Sequence, residues 1–139
     1  MKHTHYDHYI VMFFIMIVSG FLSTMNVWAD KIDDIRFSIN DVYMTLLMTG
    51  WMFLLMGAYY KEPAILIVGI IMVIANVWCI RTQFLVTNDQ YITGMIPHHS
   101  MAIHMSKKLL ENTNAKMKDF LQNIIQTQER EIKWMKQFA

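Results

Sequence analysis

The sequence predicts an all-α membrane protein in which three transmembrane helices precede a C-terminal antiparallel helical hairpin, with the bundle completed by oligomerisation. Three long apolar runs lie within residues 1–80, whereas residues 81–139 show the spacing of ordinary amphipathic helices. The chain also contains 14 Met and six His, side chains that bind soft or borderline metals. We therefore expect a membrane domain over residues 1–86 and a hairpin domain over residues 87–139.

Charge and cysteine content exclude several classes of function. Residues 1–80 carry −2 (four basic and six acidic side chains) and residues 81–139 carry +3 (eight and five), for a net charge of +1. This asymmetry is too small to indicate a nucleic-acid partner. The single Cys79 excludes an internal disulfide and a zinc site built from two cysteines. We expect no enzyme, because the sequence offers no nucleophile–base pair, phosphate loop or paired-carboxylate arrangement.

The first predicted span covers residues 9–28, an uncharged run that begins at a Tyr and ends at a Trp. Twenty helical residues cross about 30 Å of hydrocarbon, and aromatic rings are typical of the headgroup level. Ahead of this span lie His3, His5 and His8. These histidines either form a loose metal-collecting tail or are simply solvated.

An acidic connector of residues 29–40 leads to the second predicted span, residues 42–60. We expect the connector's Asp residues to be solvated. The second span places a methionine at every fourth position, at Met44, Met48, Met52 and Met56. On a helix these thioethers form one slowly winding stripe, which either passes Cu(I) along or, as we consider more frequent, packs between helices without metal. Gly50 and Gly57 lie on a different face, where they allow close helix approach.

The third predicted span covers residues 64–80, following a turn at Pro63 that suits the start of a helix. Cys79 lies at its exit and is expected to be an inert thiol. The isolated Asn26 and Asn76 are expected to form hydrogen bonds between helices.

The first hairpin helix is predicted over residues 89–111, with Thr87 and Asn88 as capping residues. One helical stripe would contain Tyr91, Met95, His98, Ala102, Met105 and Leu109. His99 lies on the flank of that stripe. Pro97 removes one backbone hydrogen bond and is expected to kink the helix beside the two histidines.

The second hairpin helix is predicted to follow the turn at residues 112–114 and to run to about residue 138. Its stripe contains Met117, Leu121, Ile124, Gln128, Glu131 and Met135. If the helices fold back about residue 113, His98 lies level with Gln128, and Met95 with Glu131. A carboxylate on an apolar face is costly unless it is paired or metal-bound. We therefore predict a metal site built from Met95, His98, His99, Glu131 and Met135; the alternative is a purely structural hydrogen bond between His98 and Glu131.

Residues 88–139 resemble the bacterial family catalogued as domain of unknown function 305. The match consists of Asp89, then Met95-Ile96-Pro97-His98-His99, Ala102-Ile103 and Met105, followed by Gln128, Glu131-Ile132 and Met135. Members of that family are helical and related in fold to ferritin-like bundles, and several are linked to periplasmic copper. The resemblance implies copper binding at His98, His99, Met95, Met105, Glu131 and Met135, without implying a reaction.

The upstream half is similar, more loosely, to the eukaryotic Ctr copper transporters, which have three membrane helices and Met-x-x-x-Met on the second. Met44 to Met56 match that feature. The third helix departs from it, because Gly69 has no glycine partner four residues later, where Val73 stands.

Together these patterns predict a membrane-anchored protein of copper homeostasis, with Cu(I) favoured over Cu(II). A structural or assembly subunit of a membrane complex is the main alternative, and copper transport along the Met stripe is another. We expect a homo-oligomer, because two helices of roughly 25 residues bury too little surface to be stable alone. The bacterial inner membrane with a periplasmic hairpin is the expected location, although two basic residues inside against three outside do not support that orientation.

Overall fold

The computed structural model describes residues 7–112 and 114–138, and within them the chain is all-helical without strands. The five α-helices are α1 (Asp7–Leu22), α2 (Ile39–Tyr59), α3 (Pro63–Thr82), α4 (Asn88–Leu110) and α5 (Ala115–Met135). Two short 3₁₀ turns, Met25–Trp28 and Ile32–Asp34, lie between α1 and α2. His3 and His5 of the proposed metal-collecting tail lie outside the described residues.

The chain forms two compact units. The membrane unit comprises the described residues up to Ser23 together with Asn40–Leu85. It therefore contains all of α1 and α3, and all of α2 except its first residue. The hairpin unit comprises Thr24–Ile39 and the residues from Val86 onward. The connector between the first two helices is thus part of the hairpin unit.

Three segments are long and apolar enough to cross a membrane, as predicted: Asp7–Trp28, Ile39–Tyr59 and Pro63–Thr82. The α-helical part of the first one ends at Leu22, before the predicted end at residue 28. Beyond it, the Asn26 side chain donates to Thr24 Oγ1 and to the Arg36 carbonyl, and accepts from the Arg36 N–H. These local bonds compete with a continued helix. Asn26 therefore closes a loop. The prediction that it links two helices is wrong.

Glycines let α2 and α3 pack with their backbones close together. A Cβ at Gly57 would overlap the backbone of Leu66, and a Cβ at Gly69 would overlap the backbone of Leu54. The prediction that the glycine face of α2 admits a neighbouring helix is confirmed. Asn76, on α3, donates to the Met72 carbonyl of its own helix, so it is not the interhelical bond that the sequence suggested.

The methionines of α2 occupy two environments. Met44 and Met48 are exposed, whereas Met52 and Met56 pack against the buried cluster of Tyr9, Phe53 and Ile65. One half of the stripe therefore serves as core, and the other half lies on the surface of the membrane unit.

In the hairpin unit, α4 and α5 pack together as predicted. Thr87 caps α4 by accepting from the Gln90 N–H, and Asn114 caps α5 by accepting from the Met117 N–H. The core consists of Ile96, Ile103, Ile132 and Met135. α4 runs unbroken through Pro97, which is buried.

Candidate metal centre

The centre of the candidate site is a contact between the two hairpin helices. His99, on α4, is 91% buried, and its Nε2 lies 2.9 Å from Glu131 Oε2 on α5. Its Nδ1 lies 2.9 Å from the carbonyl oxygen of Met95, one turn earlier on α4. Both ring nitrogens therefore have a partner, and the Glu131 side chain remains 46% exposed.

The groups that His99 contacts determine which of its two ring nitrogens carry a proton. A carbonyl oxygen can only accept, so Nδ1 of His99 carries a proton and donates to Met95. A second proton must lie between Nε2 and Glu131, because two lone pairs at 2.9 Å would repel. The pair is thus an imidazolium with a carboxylate or an imidazole with a carboxylic acid. A metal ion at Nε2 would have to displace that shared proton.

The helical register explains why Glu131 meets His99, although Met95 was predicted to lie level with it. Side chains on a helix lean toward its N-terminus. In an antiparallel hairpin, Glu131 leans back toward residue 127 and His99 leans toward residue 95, so their heads meet between the two levels. The predicted alternative was a structural hydrogen bond between His98 and Glu131. The bond to Glu131 exists, but it is formed by His99, so the prediction named the wrong histidine.

The buried face of α4 is rotated by about one residue from the predicted stripe. The buried positions are Ile96, Pro97, His99, Ser100, Ile103 and Ser106. His98 is exposed, and Met105 is 52% exposed. The ring centroids of His98 and His99 lie 6.0 Å apart, so the two imidazoles are neighbours although their surroundings differ.

The two remaining predicted ligands belong to the core. Met135 is 94% buried among Ile96, Ile103 and Ile132, and Met95 packs against the same cluster. Of the six predicted site residues, the structure therefore joins His99 directly to Glu131, exposes His98 beside them, exposes Met105 about two turns further along α4, and uses Met95 and Met135 in packing. Within the described residues, no three side chains of His, Cys, Asp or Glu come together as a metal-binding group.

Gln128 adds an unsatisfied acceptor one turn from Glu131. Its Oε1 is buried and has no hydrogen-bond partner among the described residues. An orphaned buried acceptor costs about 1–3 kcal/mol, which a bound water or cation would offset. The sequence placed this polar residue on the apolar stripe of α5, which is why its side-chain oxygen is buried.

The opposite side of the hairpin is held by the acidic connector, which the sequence wrongly suggested was solvated. Asp34 is 98% buried; its Oδ2 accepts from Ser100 Oγ at 2.6 Å, and its Oδ1 lies 2.6 Å from Lys136 Nζ. Ser100 Oγ also accepts from the Asp30 N–H at 2.8 Å. The connector thus binds both hairpin helices, and Ser100 is its contact on α4. The only sequence signal was the local density of Asp residues.

Two lysines complete this charged seam. Burial alone would lower the pKa of Lys136, but its bonds to Asp33 and Asp34 outweigh burial and raise the pKa. A hydrogen bond to Asp30 raises the pKa of Lys107, which also faces Glu129 at 3.5 Å. The Lys136 ammonium in turn lowers the pKa of the Asp33 carboxyl. A cleft of about 320 Å³ lies along this seam, lined by Asp30, Lys31, Asp34, Ile103, Glu129, Ile132, Lys133 and Lys136.

Comparisons with known proteins place the hairpin in a family. Residues 82–139 match the family described as domain of unknown function DUF305. The chain is also 45% identical, over 124 residues, to a protein of Acanthamoeba polyphaga mimivirus described as "Uncharacterized protein L153"; the match covers 85% of this chain and 82% of that protein. No solved structure matches. The match to the viral protein extends well beyond the hairpin and includes most of the membrane unit. The chain belongs to the DUF305 family.

Proposed function

We propose that this chain is a membrane-anchored protein that binds copper, as Cu(I), on the hairpin unit. The observation that carries the proposal is the contact of His99 with Glu131, beside the exposed His98 imidazole and on the same helix as the exposed Met105 thioether. Imidazole and thioether are ligands that suit Cu(I), and the carboxylate would orient the imidazole and balance charge.

The ligands differ in how readily they could reach an ion. His98 and Met105 are exposed, and His99 needs only to exchange the proton that it shares with Glu131. Met95 and Met135 would have to turn their sulfur atoms out of the apolar core. We therefore assign the first ligands to His98 and His99 and a supporting role to Glu131, whereas Met105, about 10 Å further along α4, would bind copper apart from them.

The test is copper binding by the purified full-length protein, measured by competition with a chromophoric Cu(I) chelator. Changing both His98→Ala and His99→Ala should remove the bound copper. His104→Ala is the matched control, because His104 lies on the same helix but off the candidate site. Copper binding that survives the double change would refute the assignment.

The main alternative is a structural or assembly subunit without a metal. The full hydrogen bonding of the His99 ring and the burial of Met135 favour it, because both residues already have a structural role. In that case the wild-type protein would bind copper no better than the His98/His99 double variant, and it would copurify with a stable partner.

Copper transport along the Met stripe is a further alternative, supported by the exposure of Met44 and Met48. Copper flux into vesicles that is unchanged by Met48→Leu and Met52→Leu would contradict it. The bacterial inner membrane with a periplasmic hairpin remains part of the proposal. Its support is the family resemblance, and thiol labelling of single-Cys variants in intact cells tests the side.

Three spans also agree with the makeup of the hairpin unit. A chain that crosses three times leaves the connector after α1 and the segment after α3 on the same side. Those two segments pack into one unit, through contacts such as Asp34 with Ser100. Their packing together supports an even number of crossings between them, and α2 and α3 would supply two.

A further inference from the structure

We infer that the side of the hairpin unit opposite the connector binds a second copy of this chain, and that His98 of each copy meets the His99–Glu131 pair of the other. We call this side the open face. The metal-site half of the inference rests on the proposed function, whereas the interface itself does not.

The open face follows from the positions of the connector contacts. The connector binds Ser100 on α4 and Lys136 on α5. Two residues along a helix correspond to a rotation of about 200°, so His98 points away from Ser100, and Trp134 points away from Lys136, which caps the end of α5. The exposed large apolar side chains that repeat along this face are Tyr91, Met105 and Leu109 on α4, Met117, Phe120 and Trp134 on α5, and Phe138 just after α5.

The spacing of the residues on the open face is typical of helices that pack against a partner. Tyr91, His98 and Met105 are seven apart on α4, and Phe120, Thr127 and Trp134 are seven apart on α5. A seven-residue repeat on each of two antiparallel helices is what a four-helix bundle requires from each half.

The charges of the open face favour a copy of the same chain over a lipid surface. Helices that lie on membranes carry Lys and Arg along the polar border of their apolar face. Here Lys107 and Lys136 are bound to connector carboxylates, and Lys108 pairs with Glu111. Lys118 and Lys133 lie on other sides of α5, so Arg130, one turn before Trp134, is the basic side chain of the described residues that borders the face on α5. Along the middle of the open face lie one imidazole, His98, and one carboxylate, Glu131. In a two-fold pair each would face its complement on the partner.

The exposed area is also of the right size. Seven large apolar side chains, most of them about half exposed, amount to on the order of 700 Å². A stable interface buries about 800 Å² on each partner. A monomeric soluble surface rarely exposes a contiguous apolar patch of this extent.

The candidate metal site is incomplete in one chain, and a second copy would complete it. His98 of the partner subunit would add an exposed imidazole to the His99–Glu131 pair, where Glu131 is half-exposed. Each dimer would then hold two equivalent sites, each with ligands from both chains.

The interface is tested with the full-length protein in lipid nanodiscs. Phe120→Glu and Trp134→Glu should each convert the dimer to a monomer in mass measurements. Gln126→Glu, which adds the same charge at an exposed position elsewhere on α5, should leave it dimeric. A second measurement does not depend on disruption: in a Cys79→Ser background, chains with His98→Cys mixed with chains with Glu131→Cys should cross-link with a short bis-maleimide, and chains with His98→Cys mixed with chains with Gln126→Cys should not. A monomeric wild-type protein, or a dimer unaffected by both Glu variants, would overturn the interface, as would a His98→Cys variant labelled only by lipid-phase reagents.

The shared site is tested by mixing variants. Chains with His98→Ala and chains with His99→Ala should each lose copper alone, but their mixed dimers should regain one of two sites. If wild-type protein binds copper and the mixed dimers regain none, the shared site is refuted while the proposed function stands. If wild-type protein binds no copper but the Glu variants still separate the chains, the proposed function fails and the interface stands.

Discussion

His99 and Ser100 are consecutive residues that fasten α4 in two different directions. The imidazole of His99 lies 2.9 Å from the carboxyl of Glu131 on α5, while the hydroxyl of Ser100 donates to the buried Asp34 carboxylate of the connector at 2.6 Å. α4 is thus the element to which the other two parts of the hairpin unit are bound. One of these contacts lies on the exposed candidate site, and the other lies in a buried charged seam.

Replacing Lys136 with Met should destabilise the hairpin unit. The substitution leaves the carboxylate of Asp34, which is 98% buried, without its cationic partner. Breaking a buried ion pair costs about 3–5 kcal/mol; because the Lys136 side chain is 26% exposed, we expect about 2 kcal/mol. Hydrogen exchange of the α4 and α5 amides should then be roughly 30-fold faster.

Lys108→Met is the matched control. Lys108 pairs with Glu111 three residues along the same helix, and both side chains are more than 60% exposed. Such pairs contribute about 0.2–0.5 kcal/mol. Equal exchange rates in the Lys136 and Lys108 variants would show that the seam does not hold the hairpin.

The stability of the hairpin unit should fall at both ends of the pH range. The pKa of Asp33 is lowered by Lys136, so its contribution is present above its ordinary value of 3.8 and is lost as the pH falls through the lower folded value. The pKa of Lys107 is raised by Asp30, so its contribution is present below 10.5 and is lost as the pH rises through the higher folded value. Between these limits the contributions of Asp33 and Lys107 to protection from hydrogen exchange, corrected for its intrinsic pH dependence, should be constant.

Lys107→Met separates the contribution of Lys107 to the alkaline transition from that of Lys136, whose pKa is also raised. Its protection at neutral pH should be lower than that of the wild type, and the loss above pH 10.5 should be smaller. An alkaline transition of unchanged size in this variant would assign it to another group.

Gly69→Ile should separate α2 from α3. A side chain at residue 69 would overlap the backbone of Leu54, which cannot move aside as a flexible side chain can. We expect a lower melting temperature of the membrane unit in detergent. Ala75→Ile, at an exposed position of the same helix, adds similar volume and should have little effect. Equal melting temperatures of the two variants would contradict the close packing of these helices.

Helix number, approximate helix bounds and the hairpin could be predicted from the sequence, because apolar length and helical spacing are local properties. The glycine face of α2 was predicted for the same reason. The end of α1 could not be predicted, because it depends on Asn26 bonding to Arg36, ten residues later.

The role of the connector depends on distant partners. Asp34 is buried because Ser100 and Lys136 contact it. These two partners lie 66 and 102 residues further along the sequence. Without those partners an acidic loop is expected in solvent, which was the prediction. The same contact explains the rotated face of α4, since the connector covers Ser100 and leaves His98 exposed.

The candidate site was predicted in part. The histidine pair and Glu131 were identified from residue types at helical spacing, and the structure joins one member of the pair to that carboxylate. Which histidine is buried depends on how α4 is rotated between α5 and the connector, and a single helix carries no information about that rotation.

Copper affinity should weaken as the pH falls, because an ion at His99 Nε2 must displace the proton that His99 shares with Glu131. Glu131→Gln offers an amide N–H that can donate to a neutral Nε2, so no shared proton has to be displaced; the affinity should then depend less steeply on pH, while the helices stay packed. Titration of the full-length protein with Cu(I) against a chelator, between pH 6 and pH 8, measures both slopes, and His104→Ala should behave as the wild type does. Identical slopes in the wild-type and Glu131→Gln proteins would show that copper binds without displacing the proton between His99 and Glu131.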